Sequence, residues 1–260
     1  MTALVVYFLT ALIVSFLCSL LESVLLSVSI AHVSVLQKDG VDVKTYESDL
    51  LSFDPLGAIG STEYGNELWH RGFPIELLPD RHYDRFETER IKPSVQADLW
   101  DGEPDIDAIC RMMKRPIVKE WAWNGYVSSN KISPFNSQNT FIARDAIKDF
   151  FLMPGIGRMD DIWASFYLQA AGHRVVYGPP SVYSDRSLGN NGRYSLVEDM
   201  KREYLGHEKS LELLEDLYKD INNIKKYLPK NSWEALCEYK NIIKKLEEQN
   251  EDDSDNNIEE

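Results

Sequence analysis

Two adjacent acids, Asp160 and Asp161, open the stretch DDIWASFYLQAAGHRVVYGPP at the threshold of a helix otherwise rich in apolar residues. A carboxylate held there, beside Arg158 and Trp163 and after the PGIG loop, has the chemistry to take a proton from an acceptor hydroxyl or to bind the hydroxyls of a sugar. The plainer alternative is structural: Asp160 caps the helix and Asp161 sits in its first turn, where the macrodipole favours negative charge. Two acids exceed what one cap needs. Asp161 or Asp160 is therefore the candidate catalytic base.

Three further stretches between Trp69 and Phe141 bear chemistry. WHRGFP sets Arg71 before a glycine, so that a fork of guanidinium donors lies beside backbone that a phosphate or sugar diol can approach closely; an ordinary surface arginine is the alternative. LWDGEPDIDAICRM packs Asp101, Glu103, Asp105 and Asp107 into seven residues, a density that calls for a cation, an arginine or polar ligand groups. Because Pro104 suggests a loop entering a helix, Asp105 or Asp107 serves equally well as a plain N-cap. SPFNSQNTF offers Asn136, Gln138 and Asn139, side chains that read sugar hydroxyls, although turn chemistry also accounts for the asparagines.

The elements that must position these residues read as an α/β fold. Short buried strands are expected at NTFIA and HRVVYG, and a helix with a glycine stop at DDIWASFYLQAAG. Strand and helix patterns alternate, which favours an α/β domain. From Leu196 the sequence turns helical and charged, giving two or three amphipathic helices split by Pro229, which cap the domain or are offered to a protein partner. No internal repeat is visible. The three cysteines show neither a disulfide framework nor zinc-ligand spacing.

The formal charge of −14 argues against a nucleic-acid surface. Eight of the acids lie in residues 246–260, with no base among them, and leave −6 for the rest; this tail is expected to be disordered. At the other end, residues 3–29 contain one charge, Glu22, and are long enough for a membrane span, with a cleaved signal peptide as the rival reading. Lys38 and Lys44 follow the span and nothing basic precedes it, which places the large domain in the cytoplasm by the positive-inside bias. Glu22, in mid-membrane, either packs a helix or faces a polar path. The expected organisation is a membrane anchor over residues 1–40, an α/β domain over 41–208, amphipathic helices over 209–245 and an acidic tail over 246–260.

Two resemblances follow from these residues. SFLCSLLESVLLSVSIAHV resembles the first transmembrane helix of the CNNM/CorC divalent-cation transporter family, but no second apolar span follows, and one helix does not transport. WHRGFP, ADLWDGEPDIDA, PFNSQNTFIARDAI and RMDDIWASFYLQAAGHRVVYGPPSVYSDR resemble, in order, motifs of the reversibly glycosylated polypeptide family and its STELLO-like relatives, over residues 41–208. That likeness implies a GT-A-type, Rossmann-like glycosyltransferase domain using a nucleotide sugar, UDP being the expected nucleotide, with an unknown acceptor and Mn²⁺ or Mg²⁺ at the diphosphate. It implies that Arg71 matches the self-glycosylation arginine, that Asp105 and Asp107 lie near the sugar pocket, and that Arg158, Asp160, Asp161 and Trp163 lie on the acceptor side. Two departures stand beside it. The nucleotide-binding half with its metal motif has no counterpart in the residues before Trp69, so the metal ligands are unassigned. Ser184 also stands where the reversibly glycosylated proteins have a histidine. Three readings compete: a membrane-tethered glycosyltransferase-like protein that transfers the sugar or, mutase-like, rearranges it; a catalytically inactive, membrane-anchored interaction or scaffold protein; and a fragment or fusion bearing a transporter helix.

Overall fold

Val41 and Val43 alternate with Asp42 and Lys44, a period of two that buries one face of strand β1 (Val41–Tyr46). The computed structural model describes residues 39–185 and 196–256, and in them β1 belongs to a mixed six-stranded sheet. The other strands are β2 (Phe86–Ile91), β3 (Val95–Gly102), β4 (Tyr126–Ser129), β5 (Thr140–Ile142) and β6 (Val175–Ser184), in the spatial order β2-β1-β4-β6-β3-β5. β1 is parallel to β4 and β3 is parallel to β6, whereas β2, β5 and the β4–β6 pairing are antiparallel. The fold is α/β, as expected.

Among the described residues five helices flank the sheet: α1 (Pro55–Ile59), α2 (Ala108–Lys114), α3 (Asp160–Ala170), α4 (Leu196–Leu217) and α5 (Lys230–Asn256). α3 is the pivot. All its residues from Asp161 to Leu168 are buried, because Leu168 joins the sheet-side core of Val95, Val127, Val175 and Phe135 while Ile162, Trp163, Phe166 and Tyr167 join a second core with Leu213, Leu214, Leu217 and Leu236 of the C-terminal helices. A helix apolar on all sides needs cover on all sides. That requirement explains why α4 and α5 exist.

Several expectations change on inspection. NTFIA shortens to β5, a half-buried edge strand rather than a buried one, since only β3 pairs with it. HRVVYG lengthens to β6, which runs on through Pro179 and Pro180 to Ser184. Prolines cannot donate to a ladder, and the register between β3 and β6 shifts at this point, between Asp98 and Trp100. Asn139 repairs the gap, its Nδ2 donating to the Asp98 and Leu99 carbonyls (3.3 and 3.1 Å) and to Ser181 Oγ (3.0 Å).

At the C-terminus, α4 runs through the boundary expected at 208/209, because its residues on either side of that point pack on one domain. Pro229 immediately precedes α5, where a proline is tolerated at a helix start. The acidic tail, expected to be disordered from residue 246, instead continues α5 to Asn256; glutamate is a good helix former, and pairs such as Lys244–Glu248 support the helix as it leaves the domain. Among the described residues no helix is long and apolar enough to cross a membrane. The expected span at residues 3–29, with Glu22, lies outside the described residues.

Candidate functional site

The site begins with a short ladder. Residues 69–71 run antiparallel to residues 105–107: His70 bridges Ile106, Arg71 N–H donates to the Asp105 carbonyl (3.1 Å), and Asp107 N–H to that of Trp69 (3.4 Å). Asp54, the N-cap of α1, fixes the first of these strips by accepting from His70 N–H at 3.0 Å. Gly72 turns the chain at φ +90°, and a Cβ there would lie 2.3 Å from Ile162 Cγ2 of α3. The glycine after Arg71 therefore lets the loop press against α3, which carries the arginine to the acids.

Arg71 is buried, and its guanidinium is gripped on both edges. Nε and Nη2 face Asp105 (3.1 and 3.0 Å to Oδ2), while Nη1 and Nη2 fork onto Asp161 (3.0 Å to Oδ1, 3.2 Å to Oδ2). Nη1 also donates to the Arg158 carbonyl. Burial opposes the charge, but Asp105 and Asp161 more than offset it and hold the arginine's pKa above its ordinary value. Asp161 Oδ2 accepts as well from Ser137 N–H (3.1 Å) and Ser137 Oγ (3.4 Å). Four stretches far apart in the chain thus meet at one guanidinium group and its two carboxylates.

A second layer comes from α4. Arg158 reaches Asp199 and Glu203 of α4 (Nε to Glu203 Oε1 3.1 Å) and lies 4.0 Å from Asp105. Glu203 Oε2 in turn accepts from Ala108 N–H (2.8 Å) at the start of α2, and Asp107 caps α2 by accepting from Ile109 N–H (2.7 Å). His207 Nε2 lies 3.3 Å from Asp107 Oδ2. Burial pushes Glu203 up to about 7, against the pull of Arg158, and raises Asp107 against the pull of His207. Two glycines allow this docking: a Cβ on Gly206 would meet Met159 at 2.4 Å, and one on Gly157 would meet the Arg202 carbonyl at 2.7 Å.

The expected polar residues divide sharply. Asn136 is buried, its Oδ1 accepting from Gln138 N–H (2.9 Å), whereas Gln138 is exposed. Asn136 and Asp105 line, with His70, Asp98, Trp100 and Tyr177, a cavity of about 20 Å³ at the inner side of β3. That volume suits roughly one water molecule. A wider cleft of about 360 Å³ lies at the other end of the sheet, between Asn130, Lys131, Gln169, Arg174 and Tyr218.

Asp160 is not the helix cap. It is already the first residue of α3, preceded by a 3₁₀ turn at Gly157–Met159, and its Oδ1 accepts only from the next residue's N–H (Asp161, 2.9 Å). It stays half-exposed, with burial raising its pKa, while Asp161 is enclosed by Arg71 and Ser137. Trp163 is wholly buried and donates Nε1–H to Ser210 Oγ of α4 (3.1 Å), so its ring packs helix on helix. Arg71 is no surface arginine. Of the alternatives for the acid-rich loop, Asp107 takes the cap and Asp105 takes the arginine.

Sequence reasoning missed Asp199, Glu203 and His207. Their signal was present as polar residues every four positions along one face of an amphipathic helix, with Gly206 among them. No family model matches this chain, and no curated protein matches it.

Proposed function

We propose that this chain is a glycosyltransferase-like domain of GT-A type that binds a nucleotide sugar, UDP being the nucleotide, near the carboxyl end of β3. Residues 3–29 tether it to a membrane, with the domain on the cytoplasmic side. The observation that supports this most is the convergence of WHRGFP, PDIDA, PFNSQNTF and RMDDIW, the stretches of the family resemblance, on Arg71 and its two acids. Ligands of α/β sheets bind beyond the carboxyl ends of strands, and there the exposed Gln138 and half-exposed Asp101 offer donors and acceptors to sugar hydroxyls, while Asn139 is committed to the β3–β6 gap.

In this reading the two acids have different tasks. Asp161, saturated by Arg71 and Ser137, holds the polar loop against α3 and is a positioning residue. Asp160, half-exposed and with a raised pKa, takes the proton of the acceptor hydroxyl as its oxygen attacks the anomeric carbon and the diphosphate leaves with the bonding pair. Mn²⁺ or Mg²⁺ would neutralise that leaving group. Asp101 and Glu103 are the carboxylates nearest the strand end with side chains not fully buried.

One observation favours the second reading, an interaction domain without catalysis. The cavity beside the motif residues holds about one water rather than a sugar ring, so the centre serves equally as a structural lock.

Titration of the full chain in detergent micelles with UDP and UDP-sugars, with and without Mn²⁺, decides between them. Saturable, metal-dependent binding, with transfer sharply reduced in Asp160→Asn, is the expected result. A folded protein that binds no nucleotide would leave the interaction domain.

A further inference from the structure

We propose that Asp107, Glu203 and His207 form a binding site for one divalent transition-metal cation, which clamps α4 onto the start of α2. The site is separate from the nucleotide sugar: its acids are almost wholly buried, 1% exposed each, so no diphosphate reaches a cation held there.

The geometry rests on two elements whose positions are fixed independently. Glu203 and His207 are spaced i, i+4 on α4 and so project from the same face. Asp107 is held opposite them by its capping bond to Ile109 N–H and by the ladder with Trp69. One donor atom from each of the three lies within 4.8 Å of the other two. Two ligand atoms at about 2.0–2.1 Å from a tetrahedral ion are roughly 3.3–3.4 Å apart. His207 Nε2 and Asp107 Oδ2 are 3.3 Å apart.

A second observation points to a missing partner. His207 Nε2 is buried and makes no hydrogen bond despite its nearness to Asp107, and Glu203 Oε1, also buried, makes none, its contact with Arg158 being an ion pair without hydrogen-bond alignment. An enclosed imidazole nitrogen with no hydrogen bond of its own, set beside two buried carboxylates, is the arrangement that a shared cation completes. The charge balance leads to the same place. Around Arg71, Arg158 and His207 stand Asp105, Asp107, Asp161, Asp199 and Glu203, five carboxylates against two guanidinium groups and one imidazole. Enclosed negative charge in excess is costly, and a dication between Asp107, Glu203 and His207 relieves it.

The donor set selects the ion. One imidazole and two carboxylates suit Zn²⁺ or Mn²⁺, whereas Ca²⁺ asks for six to eight oxygens and Mg²⁺ for near-octahedral oxygen ligands. Three protein ligands leave a coordination position for water. The cation links residues about 100 positions apart in the chain, so its binding stabilises the folded protein by mass action.

The full chain, stripped with chelator, is titrated with Zn²⁺ and Mn²⁺ by calorimetry, and Co²⁺ uptake is followed by its ligand-field absorption. The expected result is one equivalent bound, a tetrahedral Co²⁺ spectrum, and a melting temperature that rises with metal concentration. His207→Gln and Glu203→Gln, which keep size and hydrogen-bonding capacity, should weaken binding by at least about 100-fold. His173→Gln, remote from the site and paired with Asp149, should leave it unchanged. Absence of stoichiometric binding to the folded wild type, or binding that neither His207→Gln nor Glu203→Gln alters, overturns the proposal. Neither result bears on UDP binding, so the two readings fail separately.

Discussion

The two halves of α4 hold the same helix to the same domain by opposite means. Its first half, with Asp199, Glu203, Gly206 and His207, docks through charge and through glycine-enabled backbone contact; its second half, with Leu213, Leu214 and Leu217, docks through apolar burial against Trp163 and Phe166. Apolar burial is strong and non-directional, and it tolerates small slips. A close approach that a single Cβ would block tolerates far less. The difference teaches that the second half supplies adhesion and the first half supplies register.

The sharpest probe of the ionic layer beneath the first half of α4, which meets Arg71 only through Arg158, is Arg71→Met. It leaves Asp105 and Asp161 facing each other in the interior, and we expect a loss of about 3–5 kcal/mol in denaturant unfolding. The companion triple variant, Arg71→Met with Asp105→Leu and Asp161→Leu, should recover most of it, because apolar groups of similar volume need no compensation. If the triple variant is as unstable as the single one, the ion pairs of Arg71 contribute net stability after all.

On the other side, Leu213→Ala should cost about 3 kcal/mol as a cavity opens between α3 and α4. Amide exchange in α4 should then rise most beyond residue 210 while residues 199–207 keep their relative protection. Uniform loss along the helix would mean that the halves do not act separately. A smaller effect, about 1–2 kcal/mol, is expected for Trp163→Phe, which removes the hydrogen bond to Ser210 Oγ and leaves that buried hydroxyl without its partner. Adding Ser210→Ala should restore part of the loss, and failure to do so would assign the cost to the ring volume instead.

The smallest effect concerns the turn after α4. Lys226 and Lys219, with Tyr227, hold the Asp216 carboxyl down at about 2. Its folded pKa lies below the unfolded value, so its stabilising contribution is present above roughly pH 4 and lost as pH falls towards 2. An NMR titration of the Asp216 carboxyl carbon should show the low midpoint; a midpoint near 4 would detach this turn from the docking of α4.

Much of the centre was legible in the sequence because its residue types are unusual where they stand. Arg71 before a glycine, the acids of PDIDA and the doubled Asp160–Asp161 each exceed what a turn or cap requires, and three of these side chains do meet. What the sequence concealed was the partner of each. Asp105 and Asp107 differ by two positions, and only the ladder with residues 69–71 decides which faces the arginine and which caps α2. Asp199, Glu203 and His207 were obscured because a charged face on an amphipathic helix ordinarily faces water, and only the packing of Gly206 on Met159 turns this one inward. β2 was unreadable for a different reason. FETERI is exposed over most of its length and pairs with β1 alone, so it has no apolar alternation to reveal it.

That same strand governs how the protein meets its neighbours. β2 closes one margin of the sheet with Glu87, Glu89 and Arg90, and β5 closes the other with three residues, so neither margin offers a long, uncharged row of backbone groups to a strand from another molecule. Association by sheet extension, the usual first step towards fibrils, is thereby discouraged at both ends, and contacts with other proteins are left to helices and loops.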